Sequence, residues 1–185
     1  MPTVEIHLLE GYGPDAQTRL CAAVTDAVRL IVPAQPDAIT VMISEHAAHG
    51  YMRGRQTRKG ADALPNAEDI VRRFLDSLEA RDLGQAETLL APGAELHFPG
   101  APAFASLSEV VHWAAPRYQS VRKDFAAFET CATPTGTAVY ARGTLSGTWP
   151  DGTSFDGIRF IDRFELMNGL ITRQDVWNDI AEVRP

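Results

Sequence analysis

The sequence predicts an α+β protein in two parts: a short βαβ unit, then a larger part in which helices precede an antiparallel sheet. Residues 3–9 alternate between apolar and polar side chains, and a helical pattern and a second β-branched run follow within about 40 residues. From about residue 122 onward the pattern is that of strands. All of the net charge of −7 falls after residue 60, because residues 1–60 contain six basic and six acidic side chains. This step in charge predicts a domain boundary near that point.

The elements of the first part have local causes. Gly13 suits the N-cap of the helix, and Pro14 suits its first position. Pro33 and Pro36 end the helix. Residues 39–44 then predict a second strand, which completes a βαβ unit with parallel strands. A unit this small buries little surface and has no disulfide framework, so we expect it to be stabilised by forming a homo-oligomer, a dimer or larger.

The second part begins after a predicted linker at residues 60–65, where Asn66 caps a helix. A shorter helix is predicted at 84–91, a strand at 94–98, and another helix after Ser106 or Ser108. Four strands follow, at 122–132, 137–149, 154–166 and 170–178. Their turns include Asp-Gly and Asn-Gly pairs, which are strong hairpin signals. The predicted domains are therefore residues 1–59 and residues 66–185.

Composition excludes several classes of protein. A hydrophobic content of 45% and a charged content of 22% are typical of globular proteins. No apolar run approaches the roughly 20 residues of a membrane span, and no leader pattern is present, so we expect a cytoplasmic protein with no membrane partner. The acidic balance argues against nucleic acid as a partner. We expect no cofactor and no metal, since His46 and His49 lack a third ligand.

The segment Pro-Thr-Val-Glu-Ile-His-Leu-Leu-Glu-Gly at positions 2–11 resembles the 4-oxalocrotonate tautomerase family. The resemblance covers residues 2 to about 59. It implies that Pro2, after removal of Met1, is the base that moves a proton between carbon and oxygen of an enol. A free α-amino group has a reference pKa of about 7.7–8.0, and an apolar pocket lowers that value towards the working pH. Such a group is well suited to general base catalysis.

The same resemblance implies the residues around this base. Tyr51 stands where the family has an aromatic side chain that lowers the pKa of the proline. Tyr12 and Thr40 replace two arginines that bind a dicarboxylate, which argues against a diacid substrate. Arg53 and Arg55 either supply the missing carboxylate contact or form a solvated segment before the linker. The predicted catalytic residues are Pro2 and Tyr51, and the predicted substrate-binding residues are Leu9, Tyr12, Thr40, Arg53 and Arg55.

Residues 66–185 resemble the nuclear transport factor 2-like superfamily, in particular its SnoaL-like polyketide-cyclase branch. The shared features are the opening amphipathic helix, Leu-His-Phe at 96–98 and Asn-Gly-Leu-Ile at 168–171. The resemblance implies a cone-shaped barrel, with a curved antiparallel sheet wrapped around helices and a pocket inside. The candidate pocket residues are His97, Tyr118, Tyr140, Asp156, Arg159, Asp175 and Trp177. Alternatively, His97 and Trp177 belong to the core, and Arg159 and Asp162 form charge pairs at strand edges.

The sequence is compatible with three functions. The first is a tautomerase that uses Pro2 on a small carboxylated enol or enone. The second is an isomerase, dehydratase or cyclase whose chemistry lies in the second pocket, with the first part serving to oligomerise the chain. The third is a protein that binds a small ligand without catalysis. In each case the partners are a small molecule and other copies of the chain.

Overall fold

The computed structural model describes residues 1–183. Residues 184–185, the last two of the predicted second domain, lie outside the described residues. The chain divides after residue 63 into two compact units. This division falls inside the segment 60–65 that the sequence predicts as a linker, and the domain bounds themselves stay a prediction.

The first unit contains two parallel strands and one helix. Strand β1 (Thr3–Leu9) pairs with strand β2 (Thr40–His46) in register from the first residue of each strand to the last. Helix α1 (Pro14–Arg29) connects them and packs against β2. Gly13 is its N-cap, as predicted. The predicted βαβ arrangement is therefore present.

The rest of the first unit is short and exposed. Two 3₁₀ turns, Pro36–Ala38 and Ala48–Gly50, flank β2. Strands β3 (Met52–Arg53) and β4 (Gln56–Thr57) form a small antiparallel hairpin. None of residues 1–63 is fully buried. Because a two-stranded sheet covered by a single helix leaves its other face open, this unit by itself does not enclose a core.

The described part of the second unit has four helices, and two of them begin at predicted caps, whereas the short helix predicted at 84–91 spans Leu83–Glu87. The helices are α2 (Ala67–Glu79), α3 (Leu83–Glu87), α4 (Leu107–Ala114) and α5 (Ile180–Val183). The side chain of Asn66 accepts a hydrogen bond of 3.1 Å from the backbone of Glu68 at the start of α2, and Ser106 caps α4 in the same way. Among residues 1–183, no helix has both the length and the apolar character of a membrane span.

A curved five-stranded sheet makes up the rest of the second unit. Its strands are β5 (Leu90–His97), β6 (Ser120–Ala132), β7 (Thr137–Thr148), β8 (Ser154–Met167) and β9 (Leu170–Asn178), in the order β5-β9-β8-β7-β6. Strands β6 to β9 form the predicted antiparallel meander. The α+β prediction is confirmed.

Two details differ from the expected cone-shaped barrel with a curved antiparallel sheet. Strand β5 runs parallel to β9, so that the sheet is mixed. The sheet is also open, since β5 and β6 lie at opposite edges and do not pair with each other within the described chain. The parallel pair joins the first strand of this unit to the last. A pairing between segments so distant in sequence leaves no local pattern by which it could be predicted.

The core of the second unit lies between the helices and one face of the sheet. Phe74 of α2 meets Phe164 of β8 with their ring centres 5.9 Å apart. Along β8 the side chains that face this core alternate with outward ones, as a pleated strand requires. Phe160 and Phe164 are two of the inward residues, and Asp162 lies between them. One carboxylate is therefore placed inside an otherwise apolar layer.

Candidate functional site

The first unit has a cavity of about 470 Å³ at the C-terminal ends of β1 and β2, which we call the strand-end cavity. Three predicted site residues line it: Leu9, Tyr12 and Tyr51. His46 and Lys59 also line it, although the sequence did not place them there. The cavity thus combines aromatic walls with side chains that can donate hydrogen bonds to an anion.

Two histidines meet in the wall of the strand-end cavity. Nδ1 of His7 lies 2.8 Å from Nε2 of His46, and the two rings stack with their centres 5.0 Å apart. One ring nitrogen must donate and the other accept, so the pair shares one hydrogen between these two atoms. His46 therefore pairs with His7 rather than with His49. Residues 1–183 contain no group of three histidine, cysteine or acidic side chains arranged to hold a metal ion.

Pro2 lies at the opposite end of β1 from the strand-end cavity. Its carbonyl oxygen accepts a hydrogen bond of 3.0 Å from the backbone nitrogen of Thr40. At about 3.3 Å per residue, the length of β1 places Pro2 roughly 20 Å from Tyr51. Pro2 and Thr40 are therefore brought together, whereas Pro2 and Tyr51 of one chain are not. Arg53 lies on the exposed β3–β4 hairpin.

The predicted arginines of that hairpin do not line the strand-end cavity. Arg55 has a left-handed backbone with φ of 60°, as does the adjacent Gly54, and together they form the tight turn between β3 and β4. Both Arg53 and Arg55 are exposed. Lys59 is the basic side chain of this segment that reaches the cavity wall.

The second unit has two adjoining cavities on the helix side of its sheet. The α2 cavity, of about 170 Å³, is bounded by side chains of α2 and α4. The α5 cavity, of about 320 Å³, is bounded by α4, α5 and the sheet. Both are lined by Phe98, Tyr118, Val121 and Lys123. The remaining walls are largely apolar, and these four shared residues lie where the two spaces adjoin.

An ion pair lies at this boundary. The ammonium group of Lys123 in β6 binds the carboxylate of Asp162 in β8. Asp162 has no solvent exposure, and Gln174, which is 2% exposed, donates a hydrogen bond of 3.4 Å to the same carboxylate oxygen. The Lys123 side chain is 21% exposed, and its nitrogen lies 4.6 Å from the centre of the Phe160 ring. Burial raises the pKa of the Asp162 carboxyl above its usual range, although Lys123 and Gln174 act in the opposite direction.

Three buried polar atoms near these cavities have no hydrogen-bond partner in the described chain. They are Nε1 of Trp113, Oδ1 of Asp162 and Oε1 of Gln174. Trp113 lines the α5 cavity and Gln174 lines the α2 cavity. Buried polar groups in folded proteins are nearly always paired. One donor and two acceptors in or next to the cavity walls are therefore left available to bound water or a ligand.

Of the seven predicted pocket residues, Tyr118 is the one that lines these cavities. Burial raises the pKa of its phenol, while the charges of Arg81 and Arg117 oppose that shift. Gln174 and Val176 of β9 line the cavities, and so the alternation along the strand directs Asp175 and Trp177 to the other face of the sheet. Most of the other predicted pocket residues also lie on this outer face.

The outer face carries a network of ion pairs. Asp175 is bound by Arg163 at 3.3 Å and by Arg173 at 2.8 Å. Tyr140 accepts a hydrogen bond of 3.2 Å from Arg163, and His97 contacts Glu95 at 3.0 Å. Trp177 is half exposed. These residues lie on the outer face of the sheet and do not line either cavity.

The last two predicted pocket residues are also away from the cavities. Arg159 binds Asp179 at 2.7 Å and, with Trp177, borders a shallow outer depression. The exposed Asp156 accepts a hydrogen bond from the backbone of Gly157. The alternative interpretation, in which Arg159 and Asp162 form edge charge pairs, fits Arg159 but is wrong for Asp162, which is buried in the interior.

The second unit is thus an α+β fold with two adjoining cavities between its helices and its sheet. Residues 71–174 match the SnoaL-like domain family, and residues 2–57 match the tautomerase enzyme family. The chain belongs to the SnoaL-like domain family and carries a tautomerase domain ahead of that domain. Both resemblances drawn from the sequence are confirmed. The two domains together indicate an isomerase-type or cyclase-type enzyme.

Solved structures support the fold of the second part. An NTF2-like protein of unknown function from Burkholderia pseudomallei has a TM-score of 0.56 at 19% identity, covering 64% of this chain and 95% of that one. An NTF2-like protein from Burkholderia thailandensis has a TM-score of 0.53 at 20% identity, with 64% and 94% covered. TerC, co-crystallised with polyporic acid, has a TM-score of 0.54 at 14% identity, with 63% and 93% covered. No curated protein matches the sequence.

Proposed function

We propose that this protein is a tautomerase in which Pro2 of one copy, freed by removal of Met1, is the general base. Its substrate is a small carboxylated enol or enone that binds in the strand-end cavity of a second copy. One observation carries the proposal: the strand-end cavity collects Leu9, Tyr12 and Tyr51 within a segment that matches the tautomerase family from residue 2 onward.

The chemistry depends on the state of the Pro2 nitrogen. While Met1 is attached, this nitrogen belongs to an amide and cannot accept a proton. Removal of Met1, which is 92% exposed, leaves a secondary amine. A neutral amine takes a proton from the carbon or oxygen of the substrate and returns it to the other atom, which is general base followed by general acid catalysis.

A second copy is needed because of the length of β1. Pro2 is roughly 20 Å from the strand-end cavity of its own chain, which is too far for proton transfer. Two β1 strands that run in opposite directions would bring Pro2 of each copy to the cavity of the other. The absence of any fully buried residue among residues 1–63 supports such an assembly, because it leaves apolar surface for a partner to cover.

The side chains of the strand-end cavity suit a substrate with one negative charge. Lys59 supplies one fixed positive charge, and the His7–His46 pair supplies a hydrogen-bond donor. One carboxylate can thus be bound without the two arginines that Tyr12 and Thr40 replace. We infer that the substrate is a monoacid and that the carboxylate anchors it while the enol faces Pro2.

The first experiment measures the intact mass of the purified protein before and after treatment with 3-bromopropiolate, an electrophile that alkylates amines. We expect a mass that lacks Met1, and one adduct that disappears in Pro2→Ala. Retention of Met1, or an equal adduct on both proteins, would refute the proposal.

The second experiment tests the composite site by mixing variants. Pro2→Ala should lower tautomerisation of phenylenolpyruvate at least tenfold, since a general base contributes about 10²–10⁴-fold. A variant with a damaged cavity, His46→Ala, should also be weak. Co-refolding the two should restore part of the activity, because some assemblies pair an intact Pro2 with an intact cavity. No recovery would argue against a site shared between copies.

A further inference from the structure

The histidine pair, formed by His7 and His46, lies in the wall of the strand-end cavity. Its position follows from the register of the parallel strands, in which His7 is level with Ser44, and Leu9 is level with His46. Because side chains two positions apart lie on one face of a strand, the two rings are diagonal neighbours on the same face. Nδ1 of His7 and Nε2 of His46 are 2.8 Å apart, so the two imidazoles form one hydrogen-bonded unit.

The pair has two further ring nitrogens, Nε2 of His7 and Nδ1 of His46. Among residues 1–183, the hydrogen bond between the rings is the one hydrogen bond that either ring makes. A neutral imidazole carries one hydrogen, so the neutral pair carries two. One hydrogen lies between the rings, and the other is on the outer nitrogen of the ring that accepts. One end of the neutral pair is therefore a donor, and the other end is an acceptor.

A pair of this kind moves a proton from one end to the other. When the bare outer nitrogen takes up a proton, the shared hydrogen passes to the second ring. The second ring then releases the hydrogen on its own outer nitrogen. One proton enters, one proton leaves, and the pair stays neutral with its hydrogen bond reversed. Exchange with solvent at both ends restores the first arrangement.

We propose that the histidine pair relays the proton of the substrate oxygen, while Pro2 of the other copy transfers the proton at carbon. This inference rests on the proposed tautomerase, and it divides between two groups the transfers that a single amine would otherwise carry out. When an enol becomes a ketone, its O–H bond breaks, the proton enters the pair, and the pair releases one proton to solvent. The protonated Pro2 amine forms the new C–H bond and regains its proton from solvent, so the protons balance.

The relay also narrows the class of substrate. Lys59 and the histidine pair line the same cavity. In the enol of a 2-oxo acid, the enol oxygen is on the carbon next to the carboxylate. A carboxylate bound by Lys59 therefore keeps that oxygen close to the cavity wall that carries the two rings. The other titratable side chains that line the cavity are Tyr12 and Tyr51. The substrate expected from this arrangement is a 2-oxo acid in its enol form.

Kinetics of the full chain at about pH 8, where imidazole is neutral, test the relay. His7→Gln and His46→Gln keep a side chain that forms hydrogen bonds but cannot relay a proton. Each should lower kcat for phenylenolpyruvate at least tenfold and change KM by less than about threefold, because the loss is in proton transfer and Lys59 still binds the carboxylate. Unchanged kcat, or a change in KM alone, would overturn the relay.

His49→Gln is the matched control. His49 is an exposed histidine of the same segment, and it does not line the strand-end cavity. This variant should keep the kcat and the KM of the wild type. A fall in kcat equal to that of His46→Gln would overturn the relay, because any histidine of the segment would then have the same effect.

Two further comparisons separate a relay from a structural role. Residues that act as one unit give non-additive losses, so His7→Gln/His46→Gln should be no slower than about the slower single variant. Free imidazole should restore part of the kcat of His46→Ala, because it replaces the missing proton carrier, and it should restore none in Pro2→Ala. Additive losses, or no rescue of His46→Ala, would overturn the relay.

A measurement without turnover examines the pair itself. In the full chain labelled with ¹⁵N-histidine, the shared hydrogen should give a scalar coupling between Nδ1 of His7 and Nε2 of His46, and His46→Gln should abolish it. Absence of the coupling in the wild type would overturn the relay. Full activity of Pro2→Ala would overturn the tautomerase and the relay together. Full activity of both histidine variants beside an inactive Pro2→Ala would overturn the relay alone.

Discussion

Lys123 of β6 binds Asp162 of β8 across the intervening strand β7. The two residues are separated by 39 positions in the sequence. On β7, the residue paired with Lys123 is Leu145 and the residue paired with Asp162 is Ala141, so the lysine reaches diagonally across β7. The pair therefore depends on the strand order and the register of the sheet.

The pair predicts strong non-additivity in stability. Lys123→Met leaves a buried carboxylate without its partner, and breaking a buried pair in this way costs about 3–5 kcal/mol. Lys123→Met/Asp162→Asn removes both charges and should cost clearly less than the single change. Urea unfolding of wild type, both single variants and the double variant measures the coupling. Additive losses would mean that the two groups do not interact in solution.

Asp175 predicts a loss of stability in acid. Burial alone would raise its pKa, but hydrogen bonds and charge from Arg173, with contributions from His97 and Arg163, hold the pKa below the usual range. The carboxylate therefore contributes stability above the unfolded pKa of about 3.9, and this contribution is lost as pH falls through the lower folded value. Asp175→Asn should lower the melting temperature at neutral pH and flatten the decline below about pH 4. The exposed Asp156→Asn serves as the control and should change neither.

Substitutions of Lys59 and of Arg53 should have different kinetic effects. Lys59 lines the strand-end cavity, whereas Arg53 is on the exposed hairpin. A hydrogen bond to a charged group contributes about 1.5–3 kcal/mol, so Lys59→Ala should raise KM for phenylenolpyruvate about tenfold or more with little change in kcat. Arg53→Ala should leave KM within about twofold, as an exposed charge contributes little. A larger rise in KM for Arg53→Ala would indicate that the hairpin arginines bind the substrate carboxylate.

Local chemistry accounts for the parts of the fold that the sequence predicted. Asn66 caps α2 and Gly13 begins α1, because each needs only its own neighbours to do so. Asn168 and Gly169 both adopt left-handed backbone, with φ of 52° and 81°, and form the tight turn between β8 and β9. Bounds and turns of this kind depend on a few adjacent residues, and so they can be predicted from sequence.

The interior site could not be predicted in the same way. Asp162 lies between Phe160 and Phe164 at inward positions of β8. A charged residue among the inward, otherwise apolar positions of a strand was the one sequence feature that indicated this site. Its partner Lys123 occupies the same kind of position on β6, next to the inward Phe125. Knowing that these two residues meet requires the strand order, which depends on pairings distant in the sequence.

Alanine substitutions at two glycines should have opposite effects on stability. A Cβ atom at Gly143 would overlap the backbone oxygen of Asp124 on the neighbouring strand, so Gly143→Ala should cost about 3 kcal/mol, at the upper end of overpacking effects. At Gly84 in α3 the nearest atom is 3.7 Å away, so Gly84→Ala should raise stability by about 0.5–1 kcal/mol. Chemical denaturation of both variants checks the pair. Similar effects at the two positions would contradict the close approach of β6 and β7.

The two units predict different folding behaviour when they are separated. Residues 64–185 include two buried hydrophobic clusters in their described part, so this fragment should unfold cooperatively at a midpoint that does not depend on its own assembly. Residues 1–63 contain no fully buried residue, and Leu30 and Ile31 are 84% and 85% exposed. A fragment of residues 1–63 should therefore fold only when copies associate and cover such surface.

Mass action gives this prediction a direct measurement. If association stabilises residues 1–63, the melting temperature of that fragment must rise with its concentration. Thermal melts over about a hundredfold concentration range, with sedimentation to report size, compare it with the fragment 64–185. Leu30→Lys/Ile31→Lys tests the exposed end of α1, and Asp26→Lys on the same helix is a matched surface change. A stable monomer of residues 1–63 would contradict this prediction and remove the exposed apolar surface as support for a site shared between Pro2 of one chain and Tyr51 of another.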